Sequence, residues 1–208
     1  MKIAVINETS AADKNADILE ALSGRGHEIY NVGMQKSGAQ PELQYIHTGF
    51  LTGLLLNLNK VDLVVGGCGT GIGFLNAAMQ YPGVFCGLIL QPLDAWLFAQ
   101  INAGNCISLA LNQGYGWAGG VNLRFIFDQF FNVELGSGYP ENRREPQAKS
   151  REILKEISTN THKNMAEIIR DLPANVVRPA LEYPEVLELL ELDHLDNLEV
   201  KTAILNRL

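Results

Sequence analysis

The feature that most constrains this chain is residues 62–74, DLVVGGCGTGIGF, where a short apolar run opens into a turn dense in glycine. Leu63, Val64 and Val65 read as a strand buried on both faces, and residues 72–79 read as the helix that follows. Gly66, Gly67, Gly69, Gly71 and Gly73 tolerate positive φ and leave backbone N–H groups uncovered. The turn can therefore wrap an anion or an oxyanion beside Cys68 and Thr70. The first amides of the helix would add partial positive charge at the same place. A dinucleotide site does not fit, because the sixth position of the glycine fingerprint falls on Ile72 or Phe74 and the next strand ends at Gln91 rather than at a carboxylate. A nucleotide-hydrolase phosphate loop is excluded, since no lysine lies between Lys60 and Lys149. The remaining alternative is a tight strand-to-helix turn around an inert buried cysteine.

Around that turn, strand and helix signals alternate. Apolar runs at 3–6, 28–32, 84–90 and 106–111 read as strands, and residues 13–22, 45–58 and 92–101 carry helical spacing, the last with Pro92 at its start. Alternation of this kind predicts an α/β fold: a doubly wound, five-stranded parallel sheet of Rossmann or flavodoxin type, in order 2-1-3-4-5. Ligands of such sheets bind outside the carboxyl ends of the strands where the winding reverses, here between strands one and three. That crevice brings Asn7, Glu8 and Thr9 to the Cys68 turn, and the convergence of two polar clusters so far apart in sequence marks a binding or catalytic centre.

Beyond residue 111 the character changes. Residues 117–131 predict a helix with an apolar face too wide for solvent, to be covered by the domain or by a second subunit. Residues 136–140 read as a linker, 141–149 as a polar run with Arg143 and Arg144, and 150–172 as a helix. The leucine-rich, acidic remainder predicts a division into an α/β domain at 1–172 and a helical C-terminal extension at 173–208 that caps the domain or a partner chain. A net charge of −7 argues against a nucleic-acid partner, so any phosphate held should be small and met locally. No apolar run is long enough for a membrane span or a signal peptide. Three cysteines without paired ligand spacing predict no metal and a reducing, cytoplasmic setting.

The run Gly67-Cys68-Gly69-Thr70-Gly71-Ile72-Gly73 resembles the signature of the type B ribose-5-phosphate isomerases and galactose-6-phosphate isomerase subunits. Lys2-Ile3-Ala4-Val5, Gly33, His47 and the cluster Gln100, Asn102 and Asn105 fall in matching order, over about residues 1–155. The resemblance implies a cofactor-independent aldose–ketose isomerase of a small phosphorylated sugar, a homodimer or homotetramer with its site near the subunit interface. Cys68 would be the base, and Thr70 with the N–H groups of Gly69 and Gly71 would hold the enediolate oxygen. Gly73, Asn7, Glu8, Thr9, His47 and Asn102 would line the substrate, and Arg143 and Arg144 would clamp the phosphate, with Arg124 as the next candidate. Where the family has Asp-His after the first strand, this chain has Glu8-Thr9. Its ring-opening histidine corresponds to Ile101, an expected arginine to Asn112, and a glutamate used as base by some members to Phe74. An apolar Ile101 fits a short or acyclic substrate better than ribose 5-phosphate. The alternative is a non-catalytic sugar-phosphate-binding or regulatory protein that kept the glycine cradle.

Overall fold

The computed structural model describes all 208 residues. Five parallel strands form one sheet: β1 (Lys2–Asn7), β2 (Glu28–Asn31), β3 (Leu63–Cys68), β4 (Cys86–Ile89) and β5 (Cys106–Ala110). Between and after them come α1 (Asn15–Leu22), α2 (Tyr45–Asn57), α3 (Ile72–Ala78), α4 (Pro92–Leu97) and α5 (Gly119–Phe131). A 3₁₀ turn over Thr9–Lys14 leads into α1, and a π turn over Phe98–Asn102 closes α4.

The strand order is 2-1-3-5-4, which corrects the expected 2-1-3-4-5. Both apolar runs can form strands, so alternation alone does not rank them; burial does. β5 is buried over four of its five residues and pairs on both sides, whereas β4 keeps three of its four residues half-buried at the edge. The step from β4 back to β5 reverses direction, and a right-handed crossover then carries α4 to the α1 and α5 face rather than to the α2 and α3 face. Gly87 on β4 admits the Phe98 ring, since a Cβ there would lie 2.6 Å from it. The crevice between β1 and β3 is unaffected.

Two apolar layers result. Ile3, Val5, Leu63, Val65 and Ile107 face α1, α4 and α5, while Ala4, Ile6, Val64 and Cys68 face α2 and α3. The C-terminal helices join the second layer: α7 (Met165–Asp171), α8 (Ala174–Leu181), α9 (Val186–Leu190) and α10 (Leu198–Leu205) bury Ile169, Val177, Leu181, Leu190 and Ile204 in the same cluster as Phe50, Leu51 and Leu54 of α2. The predicted helix over 150–172 divides into α6 (Arg144–Thr161) and α7, with Asn164 capping the second by accepting from Glu167 N–H. On α6 only Ser158 is buried, and Ile153, Leu154 and Ile157 stay about half exposed. On α5, Leu123, Ile126, Phe127 and Phe130 are covered within the chain, whereas Val121 and Phe125 are exposed and Trp117, just before the helix, is fully so.

Candidate active site

β3 ends at Cys68, and the turn beyond it is built by its neighbours. Leu111 N–H from the chain after β5 donates to the Cys68 carbonyl at 3.0 Å, and the Asn112 and Gln113 amides both donate to the Gly69 carbonyl. Gly71 adopts φ 76°, a left-handed conformation suited to glycine, and its carbonyl accepts from Ser108 Oγ at 2.6 Å. Gly67 lies against the Leu109 carbonyl and Gly66 against the Phe74 ring, neither leaving room for a Cβ. The glycines thus serve close packing as much as backbone freedom. Cys68 is 6% exposed, and its Sγ lies 3.9 Å from Thr70 Oγ1 on the exposed side of the turn.

The two amides expected to hold an oxyanion are both in use. Gly69 N–H donates to Ser10 Oγ at 2.9 Å, and Gly71 N–H donates to the Cys68 carbonyl at 3.3 Å. The Thr70 amide makes no hydrogen bond within the protein, and its hydroxyl accepts only a 3.3 Å bond from Ile72 N–H. The Thr70 amide and hydroxyl are therefore free donors beside Cys68. Linked to the turn through Ser10 is Glu8, 4% exposed, whose Oε1 accepts from Ser10 N–H and from the Ser10 hydroxyl. Thr9 is half-buried, and its amide is bound to the Leu43 carbonyl.

Asn7 is fully buried with neither side-chain amide atom partnered. Strand alternation sets it on the Ile3 and Val5 side of the sheet, whereas Cys68 shares a side with Val64, so the structure does not bring the two side chains together. His47 is also withdrawn from the site. Its Nδ1 accepts from Gln44 N–H at 2.9 Å, which leaves Nε2 protonated to donate to the Asn175 carbonyl at 2.9 Å. It caps α2 and ties α8 to it, so both nitrogens are spent on the fold.

Asn102 and Arg143 lie elsewhere. They line a cleft of about 420 Å³ between α6, the π turn and the start of β4, with Met79, Phe85, Cys86 and Ile101 in its wall. Cys86 pairs with Cys106, which pairs with Val64, and Cys68 is four residues further along β3 than Val64. At ~3.3 Å per residue the cleft lies about 13 Å or more from the thiol, at the amino edge of the sheet. Arg143 and Arg144 are exposed and form no ion pair, whereas Arg124 is held by Glu20 on α1. Arg151 braces the cleft, donating to the carbonyls of Ile101 and Gly136. Cys86 is half-buried rather than shielded, more open than Cys68, and only Cys106 is sealed. Burial, with Cys86 beside it, pushes the Cys106 thiol well above its ordinary range.

Sequence reasoning missed Ser10, Asn112 and Arg151 as structural ties. The one available signal was the spacing Glu8-x-Ser10, a carboxylate positioned to accept from the amide two residues on.

The profile of the Ribose/Galactose Isomerase family matches residues 3–146. The chain resembles the crystal structure of a 4-deoxy-L-threo-5-hexosulose-uronate ketol-isomerase complexed with a tartrate, with 34% identity and a TM-score of 0.94 over 100% of this chain and 99% of that one. It resembles a ribose-5-phosphate isomerase of Vibrio parahaemolyticus at 40% identity and a TM-score of 0.93, over the same shares of both chains. A ribose-5-phosphate isomerase B of Clostridium thermocellum shares the fold at 20% identity and a TM-score of 0.62, covering 77% of this chain and 99% of its own. With the cysteine–glycine turn, the parallel sheet and a profile match over most of its length, this chain belongs to the ribose/galactose isomerase family of sugar isomerases.

Proposed function

We propose that the chain interconverts the aldose and ketose forms of a small phosphorylated sugar, with Cys68 as the base. The Cys68 thiolate would take the C2 proton of the aldose, and the electron pair would move through C1 to the carbonyl oxygen. The Thr70 hydroxyl and amide would hold the enediolate oxygen so formed. Returning the proton from the thiol to C1, while the hydroxyl proton passes from O2 to O1, yields the ketose. The observation that carries this reading is the placement of Cys68, the one titratable side chain of the glycine turn, 3.9 Å from the Thr70 hydroxyl at the winding reversal of the sheet.

Arg143 and Asn102 are too far from that thiol to share a small sugar with it inside one chain. We therefore read the active unit as a homodimer or homotetramer in which Arg143 of one copy clamps the substrate held by Cys68 of another. The exposed Met79, Ile153, Leu154 and Ile157 beside the cleft support a contact between copies there.

A second reading concerns the anion. Ile101 stands in the cleft wall beside Asn102, so that position offers no proton for opening a sugar ring. The full-length relative at 34% identity is named for a uronate whose carbons 4 and 5 bear no hydroxyl to close the usual aldose ring, and an acyclic uronate or tetrose phosphate would suit an apolar residue there. The deciding experiment is kcat/KM for tetrulose 4-phosphates, the 4-deoxy-5-hexosulose uronate, ribose 5-phosphate and six-carbon phosphates. Preference for an open-chain substrate supports this reading, and a clear preference for ribose 5-phosphate overturns it while leaving the isomerase standing. Binding without turnover across the panel would favour a non-catalytic sugar-phosphate-binding protein.

A further inference from the structure

The loop after β1 carries a hydroxyl that the mechanism above does not use. Ser10 is exposed, so its side chain is not there to fill the core, yet it makes more directed contacts than any other residue of that loop. Its Oγ accepts from Gly69 N–H at 2.9 Å, and its single proton is then left to donate to Glu8 Oε1. The same carboxylate oxygen accepts Ser10 N–H at 3.1 Å. Two donors converging on Oε1 fix the Glu8 side chain and leave Oε2 without a partner in the protein. The Ser10 carbonyl accepts from Asn112 Nδ2 at 2.7 Å, and Asn112 N–H in turn donates to the Gly69 carbonyl at 3.0 Å. The loops after β1, β3 and β5 therefore meet at one residue.

We propose that Ser10 is a positioning residue for the isomerisation: its hydroxyl holds the Glu8 carboxylate and the Cys68–Gly69 peptide in fixed relation, so that Glu8 Oε2 meets the substrate hydroxyls while Cys68 meets its carbon. This deepens the reading of Cys68 as base and rests on it. The relation matters because ketol transfer moves two protons, one between carbons and one between oxygens, and the groups serving them come from different loops. Without the Ser10 hydroxyl the Gly69 amide loses its acceptor and Glu8 one of its two donors. Both groups then gain freedom at the reacting end of the substrate, while the Arg143 cleft at the other edge is untouched.

The test compares Ser10→Ala, Ser10→Thr and Asn112→Ala in the full chain on its best substrate. Misplacement by an ångström can cost about two orders of magnitude, so Ser10→Ala should lower kcat by roughly tenfold or more with KM within about threefold. Ser10→Thr, which keeps the hydroxyl, should recover most of that loss. Asn112→Ala loosens the same junction without touching the Glu8–Ser10–Gly69 hydrogen bonds, so it should move Tm at least as much as Ser10→Ala but kcat less. The proposal is overturned if Ser10→Ala keeps kcat within about twofold of the parent. It is equally overturned if kcat falls alike in the Ala and Thr variants, or if it falls only in step with Tm across all three. Full activity in Cys68→Ala would instead remove the base assignment beneath it, so the two failures are read separately.

Discussion

The two edges of the sheet, to which the proposed base and the proposed anion clamp belong, are built differently. At the carboxyl edge the Cys68 turn is held by hydrogen bonds from β5 and from the loop after β1, with most of its backbone groups spent internally. At the amino edge the cleft is formed by side chains of α6, the π turn and β4, and its arginine at position 143 has no partner. One edge is tied by internal hydrogen bonds, whereas the other offers an unpaired cation and an apolar rim. A base must be held within a fraction of an ångström of a carbon–hydrogen bond, while a clamp for an anion can be brought up from outside, and the proposed division of the two tasks follows that difference.

The largest effect is expected from replacing the proposed base. Cys68→Ala should lower kcat by roughly 10² to 10⁴ with little change in Tm, as loss of a general base does. Near-parental turnover would mean that the carboxyl edge is not the reacting end. Next in size is Arg143→Ala, which should raise KM by about tenfold or more and leave kcat nearly unchanged, because it removes a contact to the anion alone. If the edges of different copies meet, mixing Cys68→Ala with Arg143→Ala subunits should restore about a quarter of parental activity at low substrate, since each mixed dimer regains one intact site. Failure to restore any activity would argue that each chain works alone.

Iodoacetamide should label Cys86 at least as fast as Cys68 and leave Cys106 untouched, and substrate should slow both reactions if the edges share it. Labelling of Cys68 alone would show the cleft to be covered even without substrate. The smallest expected effect lies at the amino edge, where burial first, then the N-terminal charge and Arg25, hold His27 below its ordinary value of 6.5. The folded chain then binds fewer protons than the unfolded chain below about pH 6.5, so stability is lost as pH falls through that range. His27→Gln should flatten the fall of Tm between pH 7.5 and 5.5, and parallel curves would show that the imidazole is not responsible.

The carboxyl edge was largely legible in the sequence. Glycine density, the thiol and the end of an apolar run are local signals, and the βαβ alternation located the crevice without any tertiary information. Reading failed where several partners compete for one group: nothing local reveals that Gly69 and Gly71 amides are taken, or that His47 spends both nitrogens on Gln44 and Asn175. The order of β4 and β5 was hidden for a related reason, since CGLI and CISLA are both good strands and only their burial separates them. The helices after residue 162 kept their periodicity, but their merger with the α2 core could not be read from it, and Leu181 illustrates the outcome. Leu181→Ala should cost roughly 2–5 kcal/mol of stability and leave kcat intact.

Because β5 separates β3 from β4, the turn around Cys68 depends on a segment made well after it. As the chain leaves the ribosome, residues 63–71 emerge first, but the hydrogen bonds that the Leu111, Asn112 and Gln113 amides donate to the Cys68 and Gly69 carbonyls exist only once some forty more residues have followed. Closing a loop of that size is slow relative to forming a helix, and it must occur between two central strands rather than at an open edge. The β4–α4 segment is then an excursion that can dock last. Nascent chains cut short before residue 111 should therefore leave Cys68 as open to reagents as any unfolded thiol, so that the turn around it takes its final shape only once about half of the chain has been made.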